Sequence, residues 1–334
     1  MHKIEELQQY LIENSFSQIF VLVDENTYKH CLPILVDKID EISERQATIL
    51  EIPSGEENKN FITVENICNS LLESHADRKS LLISLGGGVV TDMGGFVACI
   101  YKRGIQSINI PTTLLSMIDA SIGGKTGIDL NGVKNAIGTF NHNTISFLDT
   151  DFLKTLSQRQ IMNGVAEMLK TFLIADKDYT KLFIEKKDFS YIEDRFIERC
   201  IHIKETIVEK DFYEKEERKT LNLGHTLGHA FESYYMTKPQ TEHLLHGEAV
   251  AIGLYYALKI SEKYFSLHKD TFSSIYNFLS THYKIPSLIE EKENISSYIK
   301  NDKKSYNNNT YFVLLKDIAL PVINVEINDF SLFL

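Results

Sequence analysis

Short apolar runs alternate with amphipathic stretches through the first half of the chain. IFVLVD (Ile19–Asp24), TILEI (Thr48–Ile52), LLISL (Leu81–Leu85), SINI (Ser107–Ile110) and TISFLD (Thr144–Asp149) predict buried strands. Between them, Asn60–Leu72 and Val89–Tyr101 predict helices. Strand and helix in alternation imply a mostly parallel α/β sheet. Past about Thr155 the pattern turns helical, over Gln158–Ala175, Arg195–Asp211, Thr220–Tyr235, Gly247–Phe265 and Thr271–Tyr283. The next convincing strand is Tyr311–Leu315. The chain therefore reads as an α/β domain over 1–155 followed by a helical domain over 156–334, with no repeat or low-complexity tract. A cleft between two domains is a common place for a site.

Composition adds exclusions. With 35 basic and 46 acidic residues, the net charge of -11 argues against a general electrostatic hold on nucleic acid or anionic membrane. An anionic substrate would have to meet a local cluster of cations. Cys31, Cys68, Cys99 and Cys200 lie far apart and form no CxxC pair, which suits reduced thiols. The opening MHKIEELQQYL is too polar for a signal peptide, and no apolar run reaches membrane-spanning length. The expectation is a soluble cytoplasmic protein.

Candidate chemistry concentrates between Arg218 and His246, where four of the eleven histidines lie. On a helix turning about 100° per residue, Arg218, Asn222, His225, His229 and Glu232 would share one stripe. Leu223, Leu227, Ala230, Phe231 and Tyr234 would face a core. His225 and His229, four apart, could reach one zinc, with His243, His246, Glu248 or a distant carboxylate as a third ligand.

Other segments carry two readings each. In LLISLGGGVVTDMGGF, Gly86, Gly87 and Gly88 either bring backbone N–H groups to a pyrophosphate or simply supply positive φ in a tight turn. Asp24 closes the first strand, where a carboxylate could bind a ribose. SIGGKTGID fails the Walker pattern at Asp119, although Lys125 could still bind phosphate. Lys204 lies in an apolar stripe with Ile197, Ile201 and Val208, so it either meets an anion or snorkels. Periodicity favours a solvated pair for Glu167 and Lys170, opposite the face of Ile161, Val165, Met168, Leu169 and Phe172.

Taken together, SLGGGVVTDMGGFVA, YKRG, IPTTLLSMIDASIGGKTGID, KNAIG, GVAEMLK, RKTLNLGHTLGHAFE, LLHGEAVAIG and NDKKS resemble 3-dehydroquinate synthase, in that family's order. The resemblance implies a Rossmann-like NAD-binding α/β domain, an all-α metal-binding domain and a homodimer. It implies Glu167, His225 and His246 as ligands of zinc or cobalt, which leaves His229 to substrate or proton transfer. It implies an NAD site of Asp24, Glu56, Lys59, Gly87, Gly88, Val89, Asp92, Thr112 and Thr113, with Lys125 and Lys134 at its edge. Substrate would meet Arg103, Asp119, Lys125, Lys134, Asn135, Lys170, Lys204, Arg218, Asn222, His229 and Lys303 or Lys304.

The implied reaction turns 3-deoxy-D-arabino-heptulosonate 7-phosphate into 3-dehydroquinate and phosphate, with transient oxidation at carbon 5. Three departures from the family pattern stand out. Thr91 replaces a glycine, SYNNNTYF lacks one, and FNHNT replaces a Tyr- and Pro-containing loop. Another sugar-phosphate cyclase or a metal-dependent polyol dehydrogenase are the competing readings. The first would differ in substrate and the second would accumulate NADH.

Overall fold

The computed structural model describes residues 1–131, 133–268, 270–287, 294, 295, 298, 299 and 310–327. The chain separates into two compact units, Met1–Gln160 and Ile161–Leu334.

The first unit is built on one parallel sheet. Strands β1 (His2–Lys3), β2 (Ile19–Asp24), β3 (Thr48–Ile52), β4 (Leu81–Gly86), β5 (Gln106–Pro111) and β8 (Ile145–Leu148) run in the order β1-β8-β5-β4-β2-β3. Every neighbouring pair is parallel. The continuous apolar runs of β2 and β4 suit this position, because a parallel sheet is covered on both faces. Helices α1 (Glu5–Glu13), α2 (Glu25–His30), α3 (Leu32–Lys38), α4 (Asp40–Glu44), α5 (Phe61–Glu73) and α6 (Gly88–Ile100) make the crossovers. On one side Phe20, Leu22 and Leu82 meet Val64 and Ile67 of α5 and Met93, Phe96 and Val97 of α6.

An antiparallel hairpin outside the sheet, β6 (Lys125–Leu130) with β7 (Val133–Phe140), has no counterpart among the predicted strands. Its pairing sets Gly127 against Gly138, and β7 is exposed or half-exposed throughout. Such a ribbon lacks the apolar run that marks a buried strand.

The second unit holds α7 (Gln158–Ala175) from Ile161 onward, α8 (Lys177–Ile184), α9 (Asp194–Lys210), α10 (His225–Tyr235), α11 (His246–Tyr264) and α12 (Ser273–His282). Among the described residues it is helical apart from one antiparallel hairpin, β9 (Tyr311–Asp317) with β10 (Leu320–Glu326). Phe312, Leu314 and Val325 of that hairpin pack with Leu227 and Phe231 of α10 and Ile252 and Tyr256 of α11.

One helix start differs from expectation. A continuous helix from Thr220 is replaced by a 3₁₀ turn over Glu217–Asn222, then Gly224 at φ +79, and α10 begins only at His225. The Asp211 carboxylate gathers the backbone N–H groups of Lys215, Glu216 and Arg218 and shapes the turn. Arg218 and Asn222 are therefore not on the helical stripe, whereas Leu223, Leu227, Ala230, Phe231 and Tyr234 are all buried as expected. Among the described residues no helix is long and apolar enough to cross a membrane, and the four cysteines are free thiols.

Candidate active site

Three helices of the second unit bring Glu167, His225 and His246 together. Each offers one ligand atom, and these atoms lie within 4.8 Å of one another. Glu167 comes from the middle of α7 and is 0% exposed. His225 and His246 are the first residues of α10 and α11. Their Nε2 atoms stand 3.6 and 3.3 Å from Oε1 of Glu167.

Oε2 of Glu167 pairs with the ammonium of Lys170, which is itself 1% exposed. The solvated pair expected from periodicity is thus wrong. Every residue of α7 from Asn163 to Ile174 is buried, so this helix has no wet face for the pair to occupy. Neither carboxylate oxygen receives a hydrogen bond of good geometry. A buried carboxylate in that condition is costly unless positive charge meets it.

The imidazoles are oriented to meet such a charge. Nδ1 of His225 lies 3.2 Å from the carbonyl of Leu223, and Nδ1 of His246 lies 3.4 Å from Oε2 of Glu232. In the neutral, Nδ1-protonated form that a bound ion would require of each ring, both Nε2 lone pairs would face Glu167. Desolvation opposes charge on His246, but the carboxylates of Glu232 and Glu167 outweigh it and push its pKa up to about 10. The local field selects a cation. Two imidazole nitrogens and one carboxylate oxygen are a donor set suited to zinc or cobalt with a coordination position left for substrate, so these residues fit a divalent ion.

The remaining expected groups of this unit are placed as follows. His229, half-buried, has its ring centroid 5.2 Å from that of His225 and 5.9 Å from that of His246. It joins Glu232 and His246 in a second close trio, so the pair read from spacing is divided between two groups. Lys204 is 6% exposed, too buried to snorkel. Arg218, 2% exposed, donates from Nη1 to the Phe212 carbonyl, and Asn222 donates to Glu214 Oε1 at 2.6 Å. His243 and Glu248 are occupied elsewhere, by the Lys238 carbonyl and by the Leu245 N–H at the start of α11. Lys303 and Lys304 lie outside the described residues.

In the first unit, the glycine-rich turn joins β4 to the N-terminus of α6. None of Gly86, Gly87 and Gly88 has positive φ, so the tight-turn reading fails. Closeness is the reason instead, since a Cβ on Gly87 would lie 3.1 Å from Cγ2 of Thr113. The result is an open backbone approach to a thirteen-residue helix's positive end, a fit for a pyrophosphate. Val89 is in the first turn of α6, and Thr112 donates its N–H to the Gly86 carbonyl.

Asp24 caps α2, accepting from the Thr27 N–H at 2.7 Å. Lys59 is buried and bridges Asp92 at 2.6 Å and Asn135 at 2.7 Å. Glu56 approaches Lys59 and Lys134 at 3.9 and 3.7 Å. Groups expected at cofactor and at substrate thus share one cluster, where Glu56, Lys59 and Asp92 meet Lys134 and Asn135 of β7. Asp129, absent from the expected residues, belongs to it by accepting the Asn135 N–H at 2.7 Å. Arg103 is exposed at φ 67, Asp119 lies in a π-helical turn over Ser116–Ala120, and Lys125 is exposed at the start of β6.

Besides Asp129, Asn163 escaped the sequence reading, although a lone Asn on an apolar helix face was a signal. It is 7% exposed, and its Oδ1 accepts the N–H of Gly247 beside His246.

Comparisons with known proteins agree across the chain. Residues 49–163 match the family model "3-dehydroquinate synthase N-terminal" and residues 164–305 match "3-dehydroquinate synthase C-terminal". The 3-dehydroquinate synthase of Parabacteroides distasonis is 38% identical over 329 residues, covering 96% of this chain and 91% of that one. That of Helicobacter pylori is 40% identical over 293 residues, covering 86% and 82%. A crystal structure of 2-deoxy-scyllo-inosose synthase with carbaglucose-6-phosphate, NAD+ and Co2+ superposes with a TM-score of 0.83 at 25% identity, covering 96% and 88%.

Proposed function

Because the chain belongs to the 3-dehydroquinate synthase family, we propose that it converts 3-deoxy-D-arabino-heptulosonate 7-phosphate to 3-dehydroquinate and phosphate, as a carbon–oxygen lyase. The observation that carries the reading is the Glu167, His225 and His246 trio, formed in a chain whose full-length relatives bear that name. A divalent cation held there would acidify a substrate hydroxyl, and NAD held at the turn before α6 would take up a hydride and give it back.

The chain's own groups have distinct tasks in this reading. Glu167 and Glu232 place two buried carboxylates beside the histidines of the trio, a field that suits a divalent cation. The ammonium of Lys170 holds the Glu167 carboxylate in place. Lys204 and Arg218, both buried, bind the anionic groups of the substrate, as a net-negative protein requires. Asn222 and His229 bind its hydroxyls, and His229 moves a proton at or near carbon 5. Arg103, Asp119, Lys125, Lys134 and Asn135 complete the substrate contacts, with Lys303. Asp24, Glu56, Lys59, Gly87, Gly88, Val89, Asp92, Thr112 and Thr113 hold NAD. A cytoplasmic homodimer completes the proposal, the free cysteines supporting the compartment.

The test is phosphate release from the heptulosonate phosphate with zinc and sub-stoichiometric NAD+, while absorbance follows NADH. Many phosphates per NAD+ with no lasting NADH supports the reading. Stoichiometric NADH would make the chain a dehydrogenase. Neither signal from folded, metal-loaded protein would point to a sister cyclase with another sugar.

A further inference from the structure

Glu232 shares the helical stripe of His225 and His229, yet it is assigned no task beyond its charge above. It is 3% exposed, and a buried carboxylate is expensive unless it is paired. Its Oε2 lies 3.4 Å from Nδ1 of His246, while Nε2 of the same ring faces Oε1 of Glu167 at 3.3 Å. His225 repeats the arrangement with a different acceptor, the Leu223 carbonyl at 3.2 Å from Nδ1, and its Nε2 faces the same carboxylate oxygen at 3.6 Å. Both rings therefore have an acceptor behind and Glu167 in front.

We propose that Glu232 is a positioning residue for the metal: it accepts the Nδ1–H of His246, fixes that tautomer and ring angle, and so presents the Nε2 lone pair to the ion. The proposal rests on the reading of Glu167, His225 and His246 as ligands. The two rings need different acceptors for a local reason. His225 follows Leu223 within the same turn, so a backbone carbonyl is at hand. His246 opens α11 after a loop, with a side chain 28% exposed against 11% for His225. It needs an anchor from another element, and α10 supplies one. A carboxylate acceptor also raises the basicity of the imidazole it holds. A second cation at His229, Glu232 and His246 is the competing use of the same atoms. If it took Nδ1 of His246, that ring would have no lone pair left for the first trio, because a neutral imidazole offers only one.

Zinc titration of chelator-stripped, full-length protein against a chromogenic competitor tests this, with apo-protein melting as the check on folding. Glu167→Gln and His225→Asn serve as controls for the ligand assignment and lose tight binding. Wild-type protein binds one ion. Glu232→Ala lowers its affinity about 10- to 100-fold. Glu232→Gln, which keeps an acceptor oxygen, recovers part of the loss. The Co2+ absorption spectrum shifts in Glu232→Ala and returns towards wild type in Glu232→Gln.

Three results overturn the proposal. In one, Glu232→Ala binds like wild type while the two controls lose the ion. In another, stoichiometry falls from two ions to one in Glu232→Ala, which makes Glu232 a ligand. If the controls also bind like wild type, the metal reading itself has failed, and Glu232 loses its role with it. Should Glu232→Ala not fold, Glu232→Met, of similar size and without an acceptor oxygen, decides on the same criteria.

Discussion

The backbone N–H of Gly247 donates to Oδ1 of Asn163 at 2.5 Å, and this bond sets where His246 stands. It joins the start of α11 to α7 one turn before Glu167. The two segments are so close that a Cβ on Gly247 would lie 1.9 Å from the Asn163 carbonyl oxygen. Gly247→Ala must therefore push the helix start away and take His246 with it. The expected cost is about 1–3 kcal/mol of stability, as for an overfilled core. Zinc affinity should fall at least about tenfold, as when a group that supports a ligand is lost. Urea unfolding and zinc titration measure the two losses. Unchanged affinity would mean that the contact does not position the ligand.

His229 is close to both His225 and His246 without belonging to the first trio. His229→Asn is expected to lower kcat by about 10²- to 10⁴-fold, the usual worth of a proton-transfer group. Metal content should remain at the wild-type level, read by elemental analysis of dialysed protein. Loss of the metal would show His229 to be a ligand.

Acid stability depends on a surface network at the end of the first unit. Hydrogen bonds and charges from Lys154 and Lys38 draw the Asp151 carboxyl down to about 2 from its ordinary 3.8. Its folded-state pKa is the lower one, so the stabilisation is complete above about pH 4 and is lost as the pH falls towards 2. The Asp151 side chain is 43% exposed, which keeps the contribution to roughly 1 kcal/mol or less. Asp151→Asn should be less stable than wild type in urea at pH 7, and the gap should narrow by pH 2.5. A gap that persists in acid would place the effect elsewhere.

Much of the fold follows from local pattern. The bounds of β2, β3 and α7 agree with the apolar periodicity of IFVLVD, TILEI and the segment from Gln158. What escaped has a physical reason in each case. Strand β7 is exposed or half-exposed throughout and β6 buries only Thr126, Gly127 and Ile128, so no apolar run announces the hairpin. Periodicity assumes one wet face, and α7 has none, so Glu167 and Lys170 were misread while their burial was itself the signal. The glycine turn needs small residues for close approach rather than for positive φ, a distinction invisible in one dimension. Spacing made the histidine cluster legible as chemistry but not the place of Glu167, which joins from far upstream; the family resemblance supplied the grouping of Glu167 with His225 and His246.

The three groups of the first trio come from α7, α10 and α11 and all belong to the second unit. An ion that binds all three is a removable cross-link between helices that the sequence keeps well apart. Unfolding has to release it, so apparent stability gains about 1.4 kcal/mol for each tenfold rise of free metal above the dissociation constant. Scarcity of the ion would then act twice, once on turnover and again on the lifetime of the folded chain. The amount of enzyme in a cell would follow the metal supply even with synthesis unchanged.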